Sequence, residues 1–395
     1  MSGARAEVMS QLFKFMTQDF KRAYRTSRKM TPYLTIKNDR QGENVMAQPI
    51  RSTLTAATLI ACGLMSHNVL AQEKSITVAW YGGNWGEAFR ACVADPYTKA
   101  TGVRVNADVG TSTTTLAKLQ QQKSAPTIDV AYMDGGISEL AQAAGVLDTL
   151  EPAGIPNMKN LHKQAVYRTG DSTYAVGSGY YSLGMTYNTR EVKTPPTSWQ
   201  DLWKPEYAGA VAIPSPSNSS GVPFVLFLAK VFGVDADNLD PLFARLSKLD
   251  TALFFDSSGA ATNAYQSGEA IIGAHFNVGA WDLIDKGMPI GFVVPKEGAW
   301  ATDARLHLVK NGPNKQAAQQ FIDTALTPDA ASCLATRLYL GPAVQGVKVA
   351  DDVARKLPWG ATGSVDNLAL FDWSMVNAKR AAITDAWNRQ VARKK

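Results

Sequence analysis

The residues that most often carry catalysis or hold metals are few and widely spaced in this sequence. His162, His275 and His307 lie far apart, with no HExxH or CxxC spacing around them, so a metal site is not expected. The sequence has no GxxxxGK[ST] loop and no GxSxG elbow, and Gly82–Gly86 (GGNWG) does not match the GxGxxG fingerprint. Nothing in these patterns calls for catalysis, and no cofactor is expected.

Polar and aromatic residues instead gather where predicted strands end. Ser75–Tyr81, Val103–Val109 and Ile128–Met133 are β-rich runs, each followed by a segment with helical periodicity. Strands that alternate with helices at this spacing predict a mostly parallel sheet covered on both faces, and ligands bind at the carboxyl ends of such strands. Those ends are Tyr81–Trp85, Gly110–Thr114 and Met133–Gly136.

The alternation continues in the second half of the chain, after a β segment punctuated by glycine. This segment, Tyr174–Tyr187, is of the kind that crosses between two lobes. Leu306–Val309 is a candidate for the return to the first lobe, and a final helix is predicted over roughly Asp372–Val391. Further strands are predicted at Val211–Pro214, Ala252–Phe255, Ala270–Phe276 and Ile290–Val294.

The net charge of the chain comes from its first segment. The 395 residues are 45% apolar and include 40 basic and 34 acidic side chains, for a formal charge of +6. Residues 1–71 hold ten basic and four acidic residues, which leaves thirty of each in residues 72–395. A basic stripe for nucleic acid is therefore not predicted. The length suffices for one large domain or two ordinary ones.

Residues 46–71 have the three-part layout of a secretory signal. Arg51 precedes an apolar stretch from about Leu54 to Met65, and small residues stand before Gln72. We expect cleavage after Ala71 and a periplasmic protein. The run Leu59–Gly63 also resembles a lipobox, so lipidation at Cys62 is the alternative. Residues 1–45 place a long, net basic segment ahead of the secretory signal, where such a segment fits poorly. We therefore expect that Met46 is the true start and that residues 1–45 are a mis-assigned extension.

Two cysteines, Cys92 and Cys333, remain after the signal. In an oxidising compartment they could form one disulfide, or they could be two separate buried thiols. Spacing in the sequence does not choose between these alternatives.

Several blocks of the sequence resemble one family. Thr197–Gly209 (TSWQDLWKPEYAG) resembles the hallmark segment of periplasmic solute-binding proteins of ABC importers, in the spermidine/putrescine-binding group. Ser75–Val105, Ala264–Gly273 and Pro289–Trp300 are similar to other blocks of that family, in the same order. The resemblance implies the type II periplasmic-binding-protein fold. In that fold two α/β lobes, each a mostly parallel sheet flanked by helices, are joined by crossing hinge strands and close over a solute.

The resemblance also implies lobe boundaries and partners. Residues 72–185 with 305–345 would form lobe 1, and residues 186–304 with 346–395 would form lobe 2. The partners would be a small-molecule solute, an inner-membrane permease and its ATPase, with no nucleic acid, and the protein would be a monomer.

Aromatic walls and carboxylates hold polyamines in this family, and cation–π contact suits such ligands. By similarity, Trp85, Tyr180 and Phe276 fall at aromatic positions. The loop 214–220 departs from the family because it has hydroxyls and an amide but no acid. Arg305 would repel a polyamine and could clamp a carboxylate. The expected ligand-binding residues are Asn84, Trp85, Asp134, Tyr180, Ser217, Asn218, Ser219, Phe276, Asn277, Trp300, Asp303 and Arg305.

The sequence thus predicts a non-enzymatic receptor that captures a small polar organic solute for an ABC importer. The solute is either a polyamine-like amine or an amino-acid-like or opine-like carboxylate. Two alternatives remain at this point. One is a binding protein that feeds a membrane receptor as a sensor, and the other is an exported enzyme on a two-lobed scaffold.

Overall fold

The computed structural model describes residues 74–392. The expected signal at 46–71, the start at Met46 and the alternative lipidation of Cys62 lie outside the described residues. Among residues 74–392, no helix is both long and apolar enough to cross a membrane.

Strands and helices alternate along most of the described chain, and a π-helical turn, Arg90–Ala94, joins the first two helices. The strands are β1 Ser75–Tyr81, β2 Arg104–Gly110, β3 Val130–Asp134, β4 Val166–Thr169, β5 Ser172–Asn188, β6 Val211–Pro214, β7 Thr251–Phe255, β8 Ile272–Phe276, β9 Ile290–Val293, β10 Trp300–Leu308 and β11 Gly341–Pro342. The α-helices are α1 Gly83–Phe89, α2 Asp95–Thr101, α3 Ser112–Gln121, α4 Ile137–Ala143, α5 Gly221–Val231, α6 Asp240–Leu246, α7 Ser258–Ser267, α8 Asn277–Asp285, α9 Lys315–Ala325, α10 Pro328–Leu338, α11 Asp351–Ala354 and α12 Trp373–Gln390.

These strands form one mixed sheet in the order β2-β1-β3-β10-β5-β8-β6-β7. Its two ends are parallel, with β2, β1 and β3 at one end and β8, β6 and β7 at the other. The middle is antiparallel, because β10 pairs with both β3 and β5, and β5 pairs with β8. We call the β1–β3 end with its helices the first lobe and the β6–β8 end with its helices the second lobe. The expected parallel sheet is therefore found in each lobe, but not between them.

Strand β5 crosses from one lobe to the other. Its residues Val176–Leu183 pair with β10, and Leu183–Tyr187 pair with β8. Nearly every side chain of this strand is buried, as expected for a strand covered on both faces. Strand β10 completes the connection, since Ala304–Leu308 pair with β3 and return the chain to the first lobe.

Local sequence explains where the first-lobe helices begin. Strand β1 stops at Gly82, and Gly83 adopts a φ of 64°, a conformation that costs glycine little. Helix α1 then begins, with Asn84 and Trp85 in its first turn. At the end of β2, Thr111 caps α3 by accepting a hydrogen bond from the Thr114 backbone N–H at 3.3 Å. Both helices therefore begin at the same edge of the sheet.

The C-terminal helix α12 lies against the turn that follows β3. A Cβ on Gly135 would stand 2.5 Å from Nε1 of Trp373, and one on Gly136 would stand 2.7 Å from Cε3 of that indole. The Asn377 amide donates to the Gly136 carbonyl at 2.8 Å. At its other end α12 reaches the second lobe, where Trp387 packs edge-on against Phe254 with ring centroids 5.0 Å apart.

Cys92 and Cys333 form a disulfide, with an S–S distance of 1.99 Å and Cα atoms 5.6 Å apart. Of the two alternatives that the sequence leaves open, the structure contains the bonded pair. The bond ties the π-helical turn after α1 to α10, across 241 residues of sequence.

Candidate functional site

A cavity of about 450 Å³ lies where the carboxyl ends of the strands of the two lobes face each other. The first lobe contributes the ends of β1, β2 and β3, and the second lobe contributes the segments after β6, β7 and β8. Its lining residues are Tyr81–Trp85, Glu87, Gly110–Ser112, Asp134, Tyr181, Asn218, Ser219, Ser257–Gly259, Thr262, Asn263, Gln266, Phe276, Val278, Gly279, Asp282 and Lys286.

Four rings form a continuous aromatic wall on one side of this cavity. Trp85 contacts Tyr81 and Tyr181 edge-on, with ring centroids 5.1 and 5.6 Å apart. Tyr181 in turn contacts Phe276 of the second lobe at 4.9 Å. Because Trp85 is only 7% exposed, a solute in this cavity would meet a largely apolar, desolvated surface.

Asp134, at the end of β3, accepts hydrogen bonds from four hydroxyl groups. Tyr81 and Tyr181 donate to Oδ1, the former at 2.6 Å, while Ser112 and Ser219 donate to Oδ2 at 2.8 and 2.6 Å. A carboxylate has about four lone-pair sites, so both of its oxygens are saturated. Ser219 belongs to the second lobe, and its bond therefore joins the two lobes directly.

The two tyrosines that bond Asp134 are held in their protonated form. Burial raises the pKa of Tyr81 and of Tyr181 well above 10, and the nearby negative charge of Asp134 raises both further. Both hydroxyls consequently remain hydrogen-bond donors at any physiological pH.

The second-lobe wall is polar and built from loops and helix starts. Asn218 uses its amide to shape its own loop, with Nδ2 donating to the Asp256 carbonyl at 3.1 Å and Oδ1 accepting from the Ser220 backbone at 2.9 Å. The Ser257 hydroxyl accepts from the Ala260 backbone N–H at 3.2 Å and caps α7. This wall therefore offers hydroxyl and amide groups, as expected from the acid-free loop 214–220.

Two donors of the first-lobe wall are left without a partner. The Nδ2 atom of Asn84 and the indole Nε1 of Trp85 are buried, and neither has a hydrogen-bond partner among the described residues. Lys286, in contrast, pairs with Asp282 at 2.8 Å within α8. Buried donors usually have partners in folded proteins, so these two unpartnered N–H groups are exceptions within this wall.

The structure brings Asn84, Trp85, Asp134, Asn218, Ser219 and Phe276 to the cavity wall. The expected position of Tyr180 in the cavity wall is corrected by the structure. Its ring lies behind the wall near Trp359, with centroids 6.2 Å apart, and the neighbouring Tyr181 lines the cavity instead. Successive side chains of a strand point to opposite faces, so one residue of register separates the two tyrosines.

The expected positions of Arg305 and Asp303 in the cavity wall are also corrected, because the two side chains form an ion pair with each other outside that wall. The Nε and Nη2 atoms of Arg305 donate to the Asp303 carboxylate at 2.7 and 3.1 Å, and Nη1 donates to Glu139 at 2.5 Å. The guanidinium also stacks on Tyr167, 3.4 Å from the ring centroid. Arg305 is 1% exposed, so its charge is neutralised internally and is not available to clamp a ligand carboxylate.

Three further expected residues also lie outside the lining. Trp300 is buried against Phe276 and Phe371. Asn277 ties the hinge region together, since its Oδ1 accepts from the Ser182 backbone and its Nδ2 donates to the Tyr339 carbonyl, both at 3.0 Å. Ser217 contributes its carbonyl, which accepts a 3.4 Å hydrogen bond from Thr113 across the lobes.

Sequence reasoning missed several residues of the wall. Tyr81 and Ser112 lie within the strand-end segments that were expected to bind ligand, and their position directly at those ends was the available signal. Tyr181 could be found only from the strand register. The face of α7 with Thr262, Asn263 and Gln266 carries no motif that distinguishes it from an ordinary polar helix surface.

Two α/β lobes that are joined by crossing strands and enclose a solute-sized cavity define the periplasmic-binding-protein fold. A sequence model of the bacterial extracellular solute-binding protein family matches residues 93–358 of the chain. The chain belongs to this family, whose members act outside the cytoplasm.

Individual relatives agree with this assignment. The chain is 27% identical over 283 residues to the spermidine/putrescine-binding periplasmic protein of Salmonella typhimurium, covering 69% of this chain and 80% of that protein. It is 23% identical to the gamma-aminobutyric acid-binding protein of Pseudomonas aeruginosa, covering 70% and 79%. A crystal structure of an ABC transporter from Clostridium perfringens superposes with a TM-score of 0.62 at 26% identity, covering 80% of this chain and 99% of that one.

Proposed function

We propose that this chain is the substrate-binding component of an ABC importer. It captures a small polar organic solute in the cavity between its lobes and delivers it to an inner-membrane permease driven by a separate ATPase. The observation that carries the proposal is the cavity itself, because both lobes line it and the Ser219–Asp134 hydrogen bond joins the lobes beside it. Lobes that close around a solute in this way are a recurrent form of ligand-driven domain closure.

The names of the relatives suggest two kinds of solute. The Salmonella typhimurium protein is named for spermidine and putrescine, and the Pseudomonas aeruginosa protein for gamma-aminobutyric acid. The aromatic wall of Trp85, Tyr181 and Phe276 suits the alkyl chain of either kind and attracts a cationic group through its π faces.

We further propose the lobe boundaries and the route of export. Residues 72–185 with 305–345 form lobe 1, and residues 186–304 with 346–395 form lobe 2. Pairing of Ala304–Leu308 with β3 supports the first boundary, and the contact of Trp387 with Phe254 supports the second. Cleavage after Ala71 would release a monomer into the periplasm, whereas lipidation at Cys62 would anchor it to a membrane.

The proposal includes no enzymatic role, and the buried Ser138–His307 pair does not supply one. His307 Nδ1 lies 2.9 Å from the Ala131 carbonyl, which can only accept, so Nδ1 donates and Nε2 accepts from the Ser138 hydroxyl at 2.7 Å. Burial lowers the pKa of His307 to about 3. Both side chains are fully buried and lie outside the cavity lining, so a substrate cannot reach them.

A thermal-shift screen followed by calorimetry tests the proposal. The panel contains polyamines, amino acids, opines and small carboxylates. A solute at 100 times its Kd should stabilise the folded protein by about 2.7 kcal/mol. Trp85→Ala should weaken the binding of any hit by about 1–3 kcal/mol, while Trp203→Ala, outside the cavity, should not. Absence of any hit, or equal effects of the two variants, would contradict the proposal.

Transport itself is tested in cells. Deletion of the gene should abolish high-affinity uptake of the radiolabelled hit, and the wild-type gene, but not the Trp85→Ala variant, should restore it at low solute concentration. Normal uptake in the deletion strain, with loss of a transcriptional response to the solute, would favour the sensor role instead.

A further inference from the structure

Helix α12 belongs to the second lobe over most of its length. Trp387 packs edge-on against Phe254 of β7. The Gln390 amide donates a hydrogen bond of 3.2 Å to Asp240, at the start of α6. Because both contacts are with second-lobe elements, a movement of this lobe relative to the first would carry α12 with it.

The beginning of α12, in contrast, covers a turn of the first lobe. Asp372 caps the helix by accepting a hydrogen bond from the Ser374 backbone N–H at 2.9 Å, so Trp373 is the first helical residue. The Trp373 indole is 8% exposed and lies so close to Gly135 and Gly136 that neither position has room for a Cβ. This contact therefore joins the two lobes.

Asn377 adds a hydrogen bond one turn further along α12. Its Nδ2 atom donates to the Gly136 carbonyl at 2.8 Å, and its Oδ1 atom accepts from Nε of Arg380 at 3.1 Å. Because a guanidinium can only donate, the bond from Arg380 fixes which end of the amide faces the turn.

The turn itself depends on contacts to its backbone, since Gly135 and Gly136 have no side chains with which to anchor it. Gly136 has a φ of 87°, a conformation that glycine adopts without strain. Within the first lobe, the Gly135 N–H donates to the Asp303 carbonyl at 3.1 Å. Trp373 and Asn377 supply the contacts from the second lobe.

The residue directly before this turn is Asp134, which the second lobe contacts inside the cavity through Ser219, at 2.6 Å. Three consecutive residues at the end of β3 are thus held by two separate second-lobe segments, the loop after β6 and helix α12. A hydrogen bond forms only within a narrow range of distance and angle. The position of the turn therefore decides whether the bond from Ser219 to Asp134 can form.

We propose that Trp373 is a positioning residue of the solute site. Together with Asn377 it holds the turn after β3 against the second lobe, so that Asp134 meets Ser219 when the lobes close. This inference rests on the proposed closure of the lobes over a solute, and it assigns part of the control of that closure to a helix outside the cavity lining.

Lobe closure is measured first, without any solute. Small-angle X-ray scattering of the purified protein should show a larger radius of gyration for Trp373→Ala and, to a smaller extent, for Asn377→Ala. Met375→Ala is the matched control, because it truncates a large side chain in the same helical turn that is 38% exposed. Trp373→Phe retains a ring over the two glycines and should restore most of the wild-type value.

The solute site is measured next, by calorimetry with putrescine and with 4-aminobutanoate. Trp373→Ala should weaken the binding of whichever probe binds by roughly tenfold, although Trp373 does not line the cavity. In a Ser219→Ala background the same substitution should have little further effect on affinity or scattering, because variants that break one shared linkage are not additive.

The outcomes separate this inference from the proposed function. Wild-type scattering and affinity in Trp373→Ala and Asn377→Ala, with only a lower free energy of unfolding in urea, would overturn the inference, and so would fully additive effects of Trp373→Ala and Ser219→Ala. If neither probe binds the wild type and no solute of the panel does, the proposed function fails. The scattering of the single and double variants then still decides the inference.

Discussion

Ser219 Oγ donates a hydrogen bond of 2.6 Å to Asp134 Oδ2, and this bond connects residues of the two lobes across the cavity. It completes a set of hydroxyl donors around a carboxylate that is 7% exposed. The contact needs no solute, so the closed arrangement has an intrinsic stabilising interaction of its own.

Ser219→Ala should shift the protein toward an open form. Loss of a hydrogen bond to a charged group removes about 1.5–3 kcal/mol from the closed arrangement. Small-angle X-ray scattering of the solute-free protein should show a larger radius of gyration, and calorimetry should show weaker solute binding by roughly tenfold. Ser332→Ala, on α10 and away from the cavity, serves as the control. Unchanged scattering and affinity would contradict the assignment of Ser219 as a closing residue.

Arg305→Ala should destabilise the fold rather than alter solute selectivity. The substitution leaves Asp303 buried beside Tyr167 without its cationic partner and also removes the ion-pair partner of Glu139. Breaking a buried pair in this way costs about 3–5 kcal/mol. Urea denaturation should detect the loss, and Arg245→Ala, which removes an exposed guanidinium stacked on Phe232, should cost far less. A stable variant with selectively weakened binding of carboxylates would contradict this view.

The two buried histidines predict a loss of stability in mild acid. Burial lowers the pKa of His275 from 6.5 to about 4 and that of His307 to about 3. Below pH 6.5 the unfolded chain therefore binds protons that the folded protein excludes, and the free energy of unfolding falls as the pH drops toward 4.

Each histidine contributes a slope of about 1.4 kcal/mol per pH unit in this range. Urea unfolding at pH 7, 6 and 5 measures the slope in the wild type and in His275→Gln. The variant should take up about one proton fewer on unfolding at pH 5. Identical slopes for the two proteins would show that His275 is protonated in the folded state.

Reduction of the Cys92–Cys333 disulfide should lower the free energy of unfolding by about 2–5 kcal/mol, because the bond closes a loop of 241 residues in the unfolded chain. Thermal melts with and without a reducing agent measure this loss. The double variant Cys92→Ala/Cys333→Ala should melt like the reduced wild type and should not respond to the agent. Equal melting of oxidised and reduced wild type would contradict a stabilising role.

Strand ends and periodicity were sufficient to predict where the first-lobe wall of the cavity lies. Trp85 follows β1 and Asp134 ends β3, and both line the cavity as the alternation of strands and helices suggested. A solute-binding fold was likewise predictable, because the family blocks occur in order along the chain.

Other features depend on contacts between distant segments and could not be predicted from local patterns. Arg305 donates a hydrogen bond to Glu139, which is 166 residues away in the sequence. Because of this pairing, Arg305 stabilises the fold and does not bind the carboxylate of a ligand as expected. Tyr180 and Tyr181 are equivalent in a β-rich run until the pairing with β10 fixes which face each occupies. The four hydroxyl donors of Asp134 come from four separate segments, so no spacing in the sequence reveals them.

Trp373 limits which residues can replace Gly135 and Gly136 in the course of evolution, although it is more than 200 residues away in the sequence. As long as its indole stays over the turn after β3, neither Gly135 nor Gly136 can gain a side chain, so the indole would have to be lost before either glycine could change. The family match ends at residue 358, and the segment that imposes this order of substitution lies beyond it. Orthologues of this chain in which either glycine is replaced should therefore also lack the indole.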